Sequence, residues 1–287
     1  MSLAAAVLAG TNRVLLEPFL WRLPLATQRR LLELGTRGLP VPRGTQVHRL
    51  QLGERPADRV SAPGVDESRA VLHLHGGAWI TMSSRTHRAF AAHLSAAAGH
   101  PVFVLDQRLA PEHPHPADVE DAVAAFDALS GHAVSTALCG DSAGGTLALL
   151  VALHLRDRAA VQPASIALVS PCADFTQRLA RAYEGPDPLL NPAWLRAGRD
   201  AYLGTRDPRG LSPLHQDLSG LSPLLVQWVT HERLAPEAAA LVTAVRDAGG
   251  IALADPMPGL FHDVQLYAGI VPEATAAVRR LGEFLSA

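Results

Sequence analysis

A serine set between glycines is the residue whose surroundings most clearly suggest chemistry in this chain. Ser142 lies in the sequence Gly-Asp-Ser-Ala-Gly-Gly at residues 140–145, between an apolar run at 134–139 and a helical pattern at 146–156. A serine flanked in this way, at a sharp turn from a strand into a helix, presents an exposed nucleophilic hydroxyl. Its neighbours must be small, because bulky side chains would collide with the adjacent strand or helix. We therefore predict that Ser142 is a nucleophile.

A second glycine-rich segment, His-Gly-Gly-Ala-Trp at residues 75–79, directly follows an apolar run that ends at Leu74. When a nucleophile attacks a carbonyl group, negative charge develops on the oxygen, and backbone amides of small residues can approach it closely. The amides of Gly76, Gly77 and Ala143 are predicted to form this oxyanion hole.

A hydroxyl nucleophile needs a general base, and the base needs an acid that orients it, in the chain order serine, acid, histidine for this arrangement. Among the 13 histidines, His262 has the required place between the last predicted strand and the last predicted helix. Glu232, three residues beyond the strand predicted at 224–229, is the predicted acid. Glu237 fits less well because it lies inside the following helix, and Asp255 is too close to His262 in the sequence.

The composition argues against several other kinds of site. The chain has 25 basic and 27 acidic residues and a formal net charge of −2, whereas nucleic-acid-binding proteins usually show clustered basic residues. Its two cysteines lie in apolar runs, so no disulfide framework is predicted. His73 with His75 and His113 with His115 have spacings that suit metal ligands, but no further ligands accompany them. No metal site is therefore predicted.

The elements that would position these residues alternate between strands and helices. Short apolar runs predict buried strands, and longer patterns with apolar residues three or four positions apart predict helices. The predicted strands are residues 70–74, 101–105, 134–139, 165–169, 224–229 and 251–254, and the predicted helices are residues 117–129, 146–156, 237–248 and 272–285. This alternation predicts an α/β fold, with a mostly parallel sheet and helices on both faces.

Two segments do not fit this alternation. Residues 1 to about 45 are predicted to be helical, and residues from about 172 to 220 are rich in proline, glycine, aspartate and arginine. The second segment is predicted to be a lid or cap, since long insertions in compact domains usually have a function. The apolar N-terminus lacks a positively charged leader, and no run approaches the roughly 18 apolar residues of a membrane span. We expect a single domain in the cytoplasm without stable membrane insertion.

Four motifs in order make the chain resemble the bacterial hormone-sensitive lipase family of α/β-hydrolases. Residues 75–78 are similar to the family's His-Gly-Gly-Gly, and residues 140–145 keep its Gly-Asp-Ser-Ala-Gly-Gly unchanged. Residues 106–114, Asp-Gln-Arg-Leu-Ala-Pro-Glu-His-Pro, resemble its Asp-Tyr-Arg-Leu-Ala-Pro-Glu-His-Pro. Residues 218–225, Leu-Ser-Gly-Leu-Ser-Pro-Leu-Leu, resemble its Leu-Ser-Gly-Leu-Pro-Pro-Leu-Leu. The resemblance covers nearly the whole chain.

This resemblance implies an α/β-hydrolase fold whose helical cap is built from the N-terminus and the later insertion. It also implies a serine carboxylesterase that acts on small-molecule esters, usually with short to medium acyl chains, and that needs no cofactor. Homodimers are common in the family, so a homodimer is a further expectation.

The chain departs from the family pattern at three positions. The third glycine of the oxyanion motif is Ala78, which backbone donors should tolerate, and the tyrosine of the second motif is Gln107, which is expected to change local packing. The glycine that usually precedes the acid loop is Val229. This bulkier residue raises the question whether the acid loop is shifted and the triad weakened.

Alternative functions remain open at this point. The His-Gly-Gly-x-Trp form also resembles that of arylformamidases, which would make the protein an amidase. A ligand-binding protein that resembles this family but lacks catalysis is a second alternative. A biosynthetic cyclase or acyltransferase is a third, because the fold and the triad do not fix the acyl acceptor.

Overall fold

Within residues 1–16, 18–183, 185 and 187–287, which it describes, the computed structural model contains an eight-stranded sheet. The strands are β1 (Gln46–Leu52), β2 (Arg55–Ser61), β3 (Arg69–Leu74), β4 (Val102–Leu105), β5 (Ser135–Asp141), β6 (Ile166–Val169), β7 (Leu224–Val229) and β8 (Ala252–Met257). Their order across the sheet is β1-β2-β4-β3-β5-β6-β7-β8. The pairs β1–β2 and β2–β4 are antiparallel, and all other neighbours are parallel.

Helices connect the strands and cover the sheet. They are α1 (Leu3–Thr11), α2 (Leu25–Thr36), α3 (Arg88–Ala98), α4 (Ala117–Ser130), α5 (Ala143–Asp157), α6 (Arg178–Ala182), α7 (Pro192–Leu203), α8 (Pro208–Leu211), α9 (Ala235–Asp247) and α10 (Pro272–Leu285). No helix in this described part of the chain has both the length and the apolar character to span a bilayer.

Alternate side chains of the central strands contribute to two apolar cores, one on each face of the sheet. Leu72 and Leu74 of β3 pack with residues of α4, α5 and α9, whereas Val71 of the same strand packs with residues of α3 and α10. Successive residues of a strand point to opposite faces, so strands covered on both sides are apolar throughout. Helix α10 packs tightly against α3, since a Cβ atom on Gly282 would lie 2.4 Å from the Cβ atom of Ala97.

The predicted mostly parallel sheet with helices on both faces is confirmed. The six predicted strands correspond to β3–β8, and the four helices predicted between and after them correspond to α4, α5, α9 and α10. The prediction of a buried strand at 251–254 is wrong in its burial, because β8 lies at the edge of the sheet and is mostly exposed. The strand is also longer than predicted and continues through Pro256 to Met257, since proline is tolerated at an edge. The prediction that residues 1–45 are helical is wrong beyond Thr36, where α2 ends.

Strands β1 and β2 were not predicted from the sequence. They form a hairpin whose two-residue loop begins at Gly53, which has φ +59°. Glycine at the first position of a two-residue loop is a hairpin signal. Side chains of β1 are mostly exposed and polar at the sheet edge, so this strand lacks the apolar run by which the others were recognised.

The helices outside the alternating pattern lie in the two segments predicted as a cap. Helices α1 and α2 precede the sheet, and α6, α7 and α8 lie between β6 and β7. The indole Nε1 of Trp194 on α7 donates to Oε1 of Gln28 on α2 over 3.0 Å, so the two segments contact each other. We interpret them as the two halves of a cap. Residues 17, 184 and 186 of the predicted ranges lie outside the described residues.

Candidate active site

Ser142 lies at the turn between β5 and α5, in a backbone conformation with φ +49° and ψ −117°. Its amide donates to the carbonyl of Val169 on β6 over 2.8 Å, which fixes the turn against the neighbouring strand. The surrounding glycines are required by close approach. A Cβ atom on Gly140 would lie 2.3 Å from the carbonyl oxygen of Gly144, and one on Gly144 would lie 2.0 Å from that of Leu74. The motif therefore lets α5 start directly against the ends of β3 and β5.

The structure brings Ser142, His262 and Glu232 together in one hydrogen-bonded chain. The Nε2 atom of His262 lies 2.9 Å from Oγ of Ser142, and its Nδ1 atom lies 2.8 Å from Oε2 of Glu232. All three residues are buried. With Nδ1 donating to the carboxylate, Nε2 can accept the hydroxyl proton of Ser142. This arrangement can activate the hydroxyl of Ser142 for attack on a carbonyl group.

The acid loop is held in place by its own backbone, despite Val229. The amide of Val229 donates to Oε1 of Glu232 over 3.2 Å, while Oε2 remains available to His262. The side chain of Val229 is buried in an apolar cluster with Ala5 of α1 and Phe261. The valine is accommodated by this packing, and Glu232 lies within hydrogen-bond distance of His262.

The loop after β3 at residues 75–79, which contains two of the predicted oxyanion donors and is called the oxyanion loop below, contains a run of positive φ angles. They are +108° at Gly77, +52° at Ala78 and +62° at Trp79, so a side chain occupies the left-handed region at two positions. Gln107 donates from Nε2 to the carbonyl of His75 over 2.9 Å and thereby supports the start of the loop. In the described part of the chain, the amides of Gly77, Ala78 and Ala143 have no acceptor.

The prediction of Gly76 as an oxyanion donor needs a correction. Its amide donates to Oδ1 of Asp141 over 3.1 Å and is therefore already used. A Cβ atom on Gly76 would lie 2.4 Å from Oδ2 of Asp141, so the glycine is needed for contact with this carboxylate. Gly76 thus anchors the oxyanion loop to the end of β5, next to Ser142.

Asp141 is the centre of a buried polar cluster that the sequence did not predict. Its Oδ2 atom lies 3.2 Å from Nε2 of His87, and its Oδ1 atom lies 3.0 Å from Nε2 of His73. Burial would raise the pKa of Asp141, but His87 and His73 hold it well below its ordinary value. Burial would lower the pKa of His87, but Asp141 raises it. We interpret His87 and Asp141 as a buried ion pair beneath the oxyanion loop.

These same residues have ligand atoms within 4.8 Å of one another, a spacing that could hold a metal ion. The sequence predicted no metal site, because it offered no partners for His73. The carboxylate of Asp141 is already engaged by the Gly76 amide and by His87, so its oxygens have partners without an ion. We therefore interpret the cluster as a structural support of the loop.

A second carboxylate, that of Asp263, also faces His262. Its Oδ2 atom lies 3.0 Å from Nε2, the nitrogen that contacts Ser142. Burial would lower the pKa of His262, but Asp263 and then Glu232 raise it well above its ordinary value. Burial raises the pKa of Asp263 to about 6, although His262 opposes this shift. Both carboxylates therefore favour the binding of a proton by His262.

Comparisons with known proteins give the site a context. Residues 71–266 match the sequence profile of a family described by its alpha/beta hydrolase fold. An acetyl-hydrolase from Streptomyces hygroscopicus is 37% identical over 255 residues, which cover 82% of this chain and 84% of that protein.

Solved structures of esterases are similar over the whole chain. An esterase from the bacterial hormone-sensitive lipase family superposes with a TM-score of 0.92 at 36% identity, covering 100% of this chain and 98% of that one. The esterase EstE5, in a crystal soaked with p-nitrophenyl butyrate, superposes with a TM-score of 0.93 at 30% identity, covering 100% and 98%.

Proposed function

Since this chain belongs to the bacterial hormone-sensitive lipase family of α/β-hydrolases and is a carboxylic ester hydrolase, we propose that Ser142, His262 and Glu232 are its catalytic triad. The observation that carries the proposal is the continuous chain of contacts, 2.9 Å from Ser142 to His262 and 2.8 Å from His262 to Glu232. The presence of all three groups in contact favours a catalyst over a ligand-binding protein of the same fold.

The first half of the proposed reaction forms an acyl-enzyme. Oγ of Ser142 attacks the ester carbonyl carbon while Nε2 of His262 takes the hydroxyl proton. Glu232 orients the imidazole and stabilises the imidazolium that forms. The tetrahedral intermediate then collapses, and the alcohol leaves with the proton returned by His262. The second half repeats these steps with water as the nucleophile, which releases the carboxylic acid and restores Ser142.

The amides of Gly77 and Ala143 are the proposed donors to the oxyanion, as the sequence suggested. The amide of Ala78 is proposed in place of that of Gly76, because Gly76 donates to Asp141. Each such donor typically contributes about 10²–10³ in rate. Short- to medium-chain esters are the proposed substrates, in keeping with the p-nitrophenyl butyrate used with EstE5.

Fluorophosphonate labelling followed by intact-mass measurement tests this proposal. We expect one adduct on the native protein and none on Ser142→Ala protein. Hydrolysis of p-nitrophenyl acetate, butyrate and octanoate is expected to fall by at least about 10⁴-fold in that variant. Ser286→Ala, at the end of α10, is the matched control and should keep both properties.

Two outcomes would contradict the proposal in different ways. Unchanged ester hydrolysis by the Ser142→Ala protein would remove Ser142 from the mechanism. Turnover of a formanilide without turnover of any ester would identify an amidase of the arylformamidase type instead.

A further inference from the structure

A cavity of about 40 Å³ is lined by residues of α6, α7 and α9 and by Cys172, which follows β6. Its apolar wall includes Trp79, Cys172 and Leu234, which belong to one apolar cluster with Ala143. The amide of Cys172 also donates to the carbonyl of Ser142 over 3.3 Å. Cys172 therefore joins the wall of the cavity to the backbone of the proposed nucleophile.

Three arginines from different elements line the same cavity. They are Arg181 on α6, Arg196 on α7 and Arg233 directly after the proposed acid Glu232. Within the described residues, none of the three side chains has a carboxylate partner within ion-pair distance. Most other cavity-lining groups are apolar. The cavity therefore combines room for a small group with an excess of positive charge.

Arg233 is held in position but has one donor unused. Its Nη1 atom donates to the carbonyls of Ala180 over 3.2 Å and Tyr183 over 3.3 Å, and its guanidinium lies 5.8 Å from the ring centroid of Tyr183. Its Nε atom is buried and lacks a partner in the described part of the chain. A guanidinium fixed by two backbone contacts is ordered before a ligand arrives, which reduces the entropy lost on binding.

Glu237 supplies a second unused polar atom in the cavity wall. Its Oε2 atom accepts from the amides of Ala173 over 2.8 Å and Asp174 over 2.9 Å. Its Oε1 atom is buried, with no partner among the residues described. Burial raises the pKa of Glu237 to about 8, which favours the protonated acid. A neutral acid whose Oε2 accepts two amides carries its proton on Oε1 and can donate it to a ligand.

We propose that this cavity binds a carboxylate carried by the ester, so that the preferred substrates contain a second, anionic group. The inference rests on the proposed role of Ser142. A carboxylate accepts hydrogen bonds and donates none, which matches the unused donors of the cavity. Guanidinium groups pair with carboxylates in a planar geometry. The carboxylate belongs either to the acyl part, as in half-esters of short dicarboxylic acids, or to the alcohol part.

Matched pairs of esters test the preference and distinguish these two sources. For the acyl part, kcat/KM is compared between p-nitrophenyl hemiglutarate and p-nitrophenyl pentanoate, with spontaneous hydrolysis subtracted. For the alcohol part, 4-acetoxybenzoate is compared with neutral 4-acetoxybenzamide. We expect the anionic member to be preferred by about tenfold or more in one pair, as for hydrogen bonds to charged groups.

Variants then assign the preference to the arginines. The double variant Arg181→Gln/Arg196→Gln changes two exposed side chains and should fold normally, and Arg233→Gln removes the fixed guanidinium. In both, the ratio of kcat/KM for the anionic ester over the neutral ester should fall by about tenfold. Arg178→Gln on α6 is the matched control, because Arg178 is exposed and does not line the cavity, and its ratio should be unchanged.

Binding of glutarate, benzoate and pentanamide to Ser142→Ala protein, measured by calorimetry, separates this inference from the proposed function. We expect glutarate or benzoate to bind in an arginine-dependent way and pentanamide to bind more weakly. Hydrolysis of neutral esters without any charge preference, and without carboxylate binding, would overturn the inference and leave the function intact. If carboxylates bind in an arginine-dependent way but the native protein hydrolyses no ester, the cavity assignment stands and the proposed function is overturned.

Discussion

His262 lies between two carboxylates that contact different nitrogens of its ring. Glu232 contacts Nδ1 and favours the tautomer in which Nε2 accepts a proton. Asp263 contacts Nε2 itself and stabilises the protonated ring. Since only the neutral imidazole can take the proton of Ser142, each carboxylate raises the pH at which His262 becomes a base.

Asp263→Asn is therefore expected to extend activity to lower pH. The variant removes the largest of the favourable charges that raise the pKa of His262, so the neutral ring persists at a lower pH. Asparagine suits the backbone at this position, where φ is +53°. The acidic limb of the kcat/KM profile should move to lower pH, as measured with p-nitrophenyl butyrate.

Asp247→Asn provides a control for this pH profile. It removes the same charge from an exposed position at the end of α9. An acidic limb that stays in place in Asp263→Asn, or that moves equally in the control, would show that the contact with Nε2 does not set the pKa of His262.

At the residue scale, the sequence identified the three side chains that meet in the candidate site but not what surrounds them. Ser142, Glu232 and His262 could be found because a motif and their order relative to the strands mark each one. The contact of His87 with Asp141 could not be predicted, because the fold brings together positions that are far apart in the chain. The contact of Asp263 with Nε2 of His262 depends on the left-handed backbone conformation of Asp263, which the sequence pattern does not indicate.

At the scale of elements, α7 is packed directly on the oxyanion loop. A Cβ atom on Gly198 would lie 2.3 Å from the carbonyl oxygen of Ala78 and 2.9 Å from its Cβ atom. Helix α7 also carries Trp194, which contacts α2. The position of this one helix therefore affects both the proposed oxyanion donors and the contact between the two cap segments.

Gly198→Ala is expected to lower kcat/KM for butyrate esters by about 10-fold to 100-fold, since small displacements of a positioned group have effects of that size. The cause would be displacement of the loop that carries the amides of Gly77 and Ala78. Ala197→Ser, an exposed change on the same helix, serves as the control. Comparable activity of the two variants would indicate that the loop tolerates a shift of α7.

The sequence predicted the central elements better than the edges. Strands β3–β7 are apolar runs because helices cover both of their faces, and this is the signal that was used. Strand β1 lies at an edge with exposed polar side chains, so its sequence resembles that of a loop. Helix α3 was also missed, although Gly99 follows it in a left-handed conformation (φ +71°) that typically ends helices.

At the scale of the whole molecule, Arg29 ties the N-terminal segment to the hydrolase core. From α2, its Nε atom donates to the carbonyl of Ile80 over 2.8 Å, and Nη2 donates to that of Ala110 over 3.1 Å. Two further contacts of 2.8 Å join its guanidinium to the carboxylate of Glu112. These contacts link the cap to the segment that follows the oxyanion loop.

The cytoplasmic location and the homodimer remain predictions from the sequence.

Removal of this link by Arg29→Ala is expected to reduce the free energy of unfolding by about 1.5–3 kcal/mol, the range for hydrogen bonds to a charged group. Activity should fall as well, because the oxyanion loop loses a support at Ile80. Urea denaturation and butyrate ester hydrolysis measure the two effects. Arg30→Ala, the neighbouring position on α2, is the comparison, and equal losses in both variants would refute a specific role for Arg29.

The backbone conformation of Ser142 links the thermal stability of this protein to its activity. With φ at +49°, the residue occupies a region where a side chain is disfavoured by about 1–3 kcal/mol. Ser142→Gly should therefore abolish hydrolysis and yet melt at a higher temperature than Ser142→Ala, which keeps the disfavoured Cβ atom. A melting temperature of Ser142→Gly at or below that of Ser142→Ala would argue against this. The disfavoured conformation at this position would then lower thermal stability whenever a side chain is present, and selection for activity would explain why a serine persists there.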